Sequence, residues 1–194
     1  MSLIPASEIG LWNAWIIIGL SFLSGPVPIL LINKESMKKF TATPTVPYSK
    51  TEKISYRIYL LLALATIVYS IFLPLKLGTV WLYVGLPICF LALIMNLITA
   101  VSFATTPLDG LVTKGTYRIS RNPISFGGFL TYVGIGIACA SWIYLIYAVV
   151  FIILTHIGVT PEERFLLEKH GNAYREYINR TPRWIGIPKS GNRR

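Results

Sequence analysis

Long apolar runs constrain this chain more than any other feature of its sequence. Residues 11–32, 54–73 and 80–103 contain one charged residue between them, Arg57. Each is close to the ~20 residues that an α-helix needs to cross a hydrocarbon core ~30 Å thick. A fourth apolar block, residues 124–159, is too long for one ordinary span. Hydrocarbon offers no partner for a backbone N–H or C=O, so segments of this kind must bond internally as helices. Composition agrees: 54% of residues are hydrophobic and 13% charged, against about 25% charged in an ordinary soluble domain. The pattern predicts an all-α polytopic membrane protein with about five transmembrane helices.

The runs differ in detail. Gly25-Pro26-Val27-Pro28 should kink or break the first, because proline removes a helical hydrogen bond and clashes with the preceding turn. The polar lead, residues 1–10, has no basic region or small-residue cleavage site, so the first run is expected to be retained. The segment from Asn33 to Lys53 reads as the longest polar loop, with Pro44 and Pro47 arguing against a continuous helix, and Pro74 to Gly78 as a tight turn. The block 124–159 is lightly broken near Ser141-Trp142 and reads as a tight antiparallel hairpin of two short helices; one long tilted helix is the alternative. Its glycines, Gly127, Gly128, Gly134 and Gly136, allow close backbone approach. Thr160-Pro161-Glu162-Glu163 has the form of a capping box with proline at the first helical position. It predicts a separate cytoplasmic C-terminal helix to about Arg180, stopping before Pro182 and carrying Tyr174 and Tyr177 on one face. Residues 1–103 then form a three-span membrane region, and residues 104–194 a catalytic region.

The net charge of +10 is unevenly spread. With five spans, the loop of residues 33–53, the segment of residues 104–121 and the tail share one side, and all are basic. The other side has Lys76 as its only Lys or Arg. By the positive-inside rule the N-terminus is outside and the C-terminus cytoplasmic. The membrane would be the cell membrane of a prokaryote or the endoplasmic reticulum of a eukaryote. Basic residues placed this way suit anionic membrane lipids, and no nucleic-acid partner is expected.

Few residues can carry chemistry. Cys89 and Cys139 lie in apolar runs, and His156 and His170 lack zinc-site spacing, so no metal is expected. There is no P-loop, nucleophile elbow or dinucleotide-binding glycine motif. Two polar clusters flank the hairpin: Gly115 to Gly128, with Arg118 and Arg121, and the acidic start of the tail. Asn122-Pro123 reads as a helix start with Asn as N-cap, and a helix N-terminus suits an anion. Plainer roles stay open: Asn122 as a cap only, the arginines on lipid phosphates, Asp109 as a turn residue, Tyr174 and Tyr177 as interface anchors, and Glu163 as a cap residue at the third helical position.

Gly115-x-Tyr117, Arg121-Asn122-Pro123, Gly127, Glu162-Glu163, Gly171-x-x-Tyr174-x-x-Tyr177 and Arg180-x-Pro182 together resemble the isoprenylcysteine carboxyl methyltransferase family. That family lies in a wider group of membrane methyltransferases that includes phospholipid methyltransferases. The resemblance covers about the C-terminal half. It implies S-adenosylmethionine as donor, bound by Asp109, Gly110, Leu111 and Val112, by Tyr117, by the turn Asn122, Pro123, Ile124 and Ser125, and by Glu162. Arg121 and Glu162 become the catalytic candidates. Where family members have His and Tyr, this chain has Asn122 and Ser125, and an arginine that they carry shortly before the acidic pair has no basic counterpart at Gly158-Val159-Thr160. The resemblance implies a lipophilic, prenylated or lipid substrate, with carboxyl methylation of an isoprenylated cysteine leading and a phospholipid amine next. A carboxylate acceptor is already ionised near neutral pH and requires no base, whereas an amine must be neutral, with Glu162, Glu163 or Tyr117 as candidate bases. Two other classes remain: an NADPH-dependent sterol-type membrane reductase, and a non-catalytic membrane scaffold or transporter.

Overall fold

The computed structural model describes residues 8–41 and 48–188. Its elements are helices: α1 (Trp15–Leu23), α2 (Pro26–Ile32), α3 (Lys34–Thr41), α4 (Lys50–Ile71), α5 (Val80–Ala104), a 3-10 turn (Gly115–Arg118), α6 (Pro123–Ala138), α7 (Trp142–His170) and α8 (Asn172–Arg180). Four helical segments are long and apolar enough to cross a membrane: Trp15–Ile32, Lys50–Ile71, Val80–Ala104 and Trp142–His170. α6 is apolar but has only 16 residues, about 24 Å at 1.5 Å per residue, short of a ~30 Å core.

The proline-rich break falls at Gly25, between α1 and α2. The basic segment after it is not all loop. α3 packs Met37 and Phe40 on Ile29, Ala100, Ala104 and Phe103, and leaves Lys34 and Lys38 exposed. The interruption expected at Pro44 and Pro47 lies outside the described residues. α4 starts at a capping box: the Ser49 N–H donates to Glu52 Oε2 (2.7 Å) and the Glu52 N–H to Ser49 Oγ (3.3 Å).

The less basic end of the bundle is stitched through the backbone. Leu75 N–H donates to the Trp12 carbonyl (3.0 Å), Ala14 N–H to Leu73 (2.9 Å) and Lys76 N–H to Ala138 (3.1 Å). The lead, the Pro74 turn and the hairpin turn therefore meet at one end. Down the middle α5 and α6 pack closely because their crossing is built on glycine. A Cβ on Gly85 would lie 2.4 Å from the Ala138 nitrogen, and one on Gly134 would lie 2.5 Å from Cys89 Sγ.

The hairpin forms, with its turn between α6 and α7 at Ala140 and Ser141, where the Ser141 N–H donates to the Gly136 carbonyl (2.8 Å). The capping box at Thr160 does not form. α7 runs unbroken through Pro161 to His170, and the Thr160 hydroxyl donates to the His156 carbonyl (3.3 Å), one turn back, instead of capping a new helix. The missing proline N–H costs one intrahelical bond, which this long, packed helix tolerates. The chain turns ten residues later, at Gly171 (φ +52°), and α8 carries Tyr174 and Tyr177.

Candidate functional site

The stretch before α6 is held from two directions. Behind it, Gly115 sits at φ +60°, and a Cβ there would lie 2.1 Å from Ser102 Oγ, so only glycine fits between the 3-10 turn and α5. Next to it the Thr116 and Thr99 hydroxyls hydrogen-bond inside the bundle (2.7 Å). In front, the segment after α8 straps across. Arg121 N–H donates to the Pro182 carbonyl (2.9 Å) and Gly186 N–H to Ile119 (3.0 Å). The Ser120 hydroxyl and the Asn122 amide both donate to the Arg183 carbonyl (3.3 Å each), and the Tyr177 hydroxyl donates to the Tyr117 carbonyl (2.7 Å). Asn122 does stand at the start of α6, but its side chain makes no capping bond; it holds the strap instead.

An ionic network lies beneath. Arg183 forms a hydrogen-bonded ion pair with Glu163 and also donates to His156 Nε2 (3.3 Å). Glu163 Oε1 lies 3.3 Å from Arg121 Nη2, an electrostatic contact without hydrogen-bond geometry. Glu163 is thus an ion-pair hub and not the cap residue that the capping box implies. The Arg121 side chain is 10% exposed, and its Nε and Nη1 are buried with no hydrogen-bond partner among the described residues. Unpaired buried donors are costly, and on a guanidinium they are shaped for an anion. The next residue of α7, Arg164, bonds Glu52 (2.9 Å) and ties α7 to the start of α4.

These elements enclose a cavity of about 520 Å³. Gly110, Leu111, Val112, Tyr117, Arg121, Asn122, Pro123, Ile124, Ser125 and Glu162 all line it. Asp109 does not; its side chain is exposed, outside the wall. Glu162 is the one carboxylate on the wall, and no hydrogen bond or ion pair engages it among the described residues. The Tyr117 phenol is pushed up from its ordinary value, first by burial and then by the charge of Glu162. Burial also raises Tyr174 and Tyr177. All three phenols are therefore neutral donors near neutral pH.

Some wall residues carry little sequence signal. Phe165 and Leu166 follow Glu162 by one helical turn and could be read from that spacing. Phe40 comes from α3, remote in sequence, and stacks edge-on with Phe103 at 5.7 Å. A second, largely apolar cavity of about 350 Å³ adjoins the first, sharing Phe40, Phe103, Ile124 and Ser125.

Residues 90–173 match the phospholipid methyltransferase family. This family lies within the isoprenylcysteine carboxyl methyltransferase-like group of membrane methyltransferases. The matched stretch runs from within α5 to the first residues of α8, so it contains the Gly115–Asn122 stretch, both hairpin helices and Glu162-Glu163. It leaves out Phe40, Tyr174, Tyr177 and the strap. No curated protein sequence matches the chain. The match and the apolar helices agree on a membrane methyltransferase that acts on lipophilic substrates.

Proposed function

We propose that the chain is an S-adenosylmethionine-dependent methyltransferase whose acceptor is a lipid amine, with the donor and the acceptor's head group meeting in the larger cavity. The donor's features suit the wall. Arg121 lines the cavity with a guanidinium suited to a carboxylate, and the start of α6 adds the positive end of a helix. Tyr117 and Tyr177 supply aromatic faces for adenine or a cation. When bound, the donor supplies a methyl group on a positively charged sulfur, which keeps the bonding electron pair as the methyl leaves.

The residues of the chain do the rest. The arginine and the α6 start fix the donor's orientation, and the apolar walls exclude water. The single observation that carries the amine is Glu162, an exposed carboxylate on the cavity wall with no hydrogen-bond or ion-pair partner among the described residues. Beside a carboxylate acceptor it would repel. Beside an ammonium it attracts, and it can accept the proton that must leave before nitrogen has a lone pair for attack. Tyr117 is poorly suited to that task because its phenol is held neutral. Glu163 is neutralised by Arg183 and Arg121. Carboxyl methylation of a prenylated cysteine requires no such base.

The test uses purified protein. It should bind S-adenosylhomocysteine and not NADPH in calorimetric titration; the reverse result sinks the methyltransferase reading. Glu162→Gln should cut methyl transfer to phosphatidylethanolamine by about 100-fold or more with S-adenosylhomocysteine affinity little changed. A large loss of that affinity instead would assign Glu162 to the donor.

A further inference from the structure

We propose that Asn96, in the wall of the smaller cavity, reads a carbonyl oxygen of the acceptor's acyl ester. This rests on the lipid-amine reading above. The lining of that cavity has no charged side chain, and its aromatic residues, among them Phe22, Tyr59, Tyr132 and Phe151, make it a place for hydrocarbon. It continues from the larger cavity past the Phe40–Phe103 pair. A lipid whose head lies beside Glu162 has its chains directed here.

Asn96 is out of place in such a wall. The hydroxyls of Ser24, Thr131 and Thr155 already donate to backbone carbonyls, and Ser21 faces Thr131. That leaves the Asn96 amide, with Tyr59, Tyr132 and Ser125, to meet a ligand. The amide oxygen faces Gly127. That Oδ1 is buried without a hydrogen-bond partner among the described residues and packs on Gly127 so tightly that a Cβ there would lie 2.1 Å away. Oxygen is the end suited to that contact, because a glycine Cα–H is a weak donor. The NH2 end is therefore the one left to the cavity. A hydrocarbon chain leaves it unbonded. A phosphate would be stranded here without a cation. A neutral ester carbonyl fits both the donor and the apolar surroundings. Asn96 lies eight residues before the end of α5, roughly 12 Å along its axis, a depth suited to the glycerol–acyl junction of a lipid whose head group is at the interface.

The probe pair is diacyl phosphatidylethanolamine and its dialkyl-ether analogue, which lacks the carbonyls. Retention of each by the detergent-purified protein is read by native mass spectrometry, with S-adenosylhomocysteine binding measured alongside. The wild type should retain the diacyl lipid about five- to tenfold better, the worth of one hydrogen bond, and Asn96→Leu should erase the preference. Equal retention of both lipids by the wild type overturns the proposal without recourse to a variant. So does an Asn96→Leu protein that keeps the preference. Failure to bind S-adenosylhomocysteine would instead remove the donor reading, while the retention ratio still judges Asn96.

Discussion

At Glu163 the carboxylate meets Arg183 and Arg121, whereas Glu162, one residue earlier, meets no polar partner among the described residues. The Glu-Glu pair is visible in the sequence, but the division of labour within it is not. It depends on Arg183, twenty residues away on the strap, and on α7 continuing through Pro161 so that the two acids point in different directions. Glu163→Gln should lower the melting temperature, at a cost of about 1–3 kcal/mol, because two largely buried guanidinium groups lose their counter-charge. Glu162→Gln should leave the melting temperature nearly unchanged. Equal thermal shifts in the two variants would contradict this division. Tyr117 gives a pH signature. Its folded value is raised above the unfolded one. The stability it contributes is therefore full below the ordinary phenol value of about 10 and is lost as pH rises beyond it. Thermal melts of Tyr117→Phe should fall less steeply than wild type at more alkaline pH.

Among the elements, the apolar spans and the hairpin were legible from run length, from the break at Ser141 and from the basic spacing of the segments between runs. Two elements were not. α3 is short and basic, and its helix matters only because α2 and α5 offer a surface to Met37 and Phe40. The strap after Thr181 has no regular structure, and its backbone bonds to residues 119–122 are tertiary. The strap makes the stronger prediction. It holds Ile119, Ser120, Arg121 and Asn122 through four hydrogen bonds, to or from Pro182, Arg183 and Gly186. Truncation after Arg180 leaves the spans intact but frees the stretch that carries Arg121. The truncated protein should keep its helical circular-dichroism signal and lose S-adenosylhomocysteine affinity by about tenfold or more, the equivalent of one or two net hydrogen bonds of orientation. Undiminished affinity would show that the strap has no part in the site.

At the scale of the molecule, the backbone stitching of residues 12–14 to 73–75, and of Lys76 to Ala138, gathers at one end the segments that carry little basic charge. The larger cavity opens among the basic segments at the other end, between the Gly115–Asn122 stretch, α3 and the tail. Which end faces the cytoplasm is a separate matter from the fold, and we propose that the basic end does. Lys and Arg are retained on the cytoplasmic side of short loops during insertion, and a soluble donor made in the cytoplasm would reach the cavity from there. The chain suits a labelling test, because Cys89 and Cys139 are both buried and should give little background. Leu77 is exposed in the Pro74 turn, and Thr113 is exposed in the loop before the 3-10 turn. With a membrane-impermeant maleimide on intact cells, Leu77→Cys should label at once and Thr113→Cys only after permeabilisation. The opposite pattern would put the cavity outside. A methyltransferase reading would then require an external source of donor, so the orientation of the chain and the chemistry assigned to its cavity stand under one measurement.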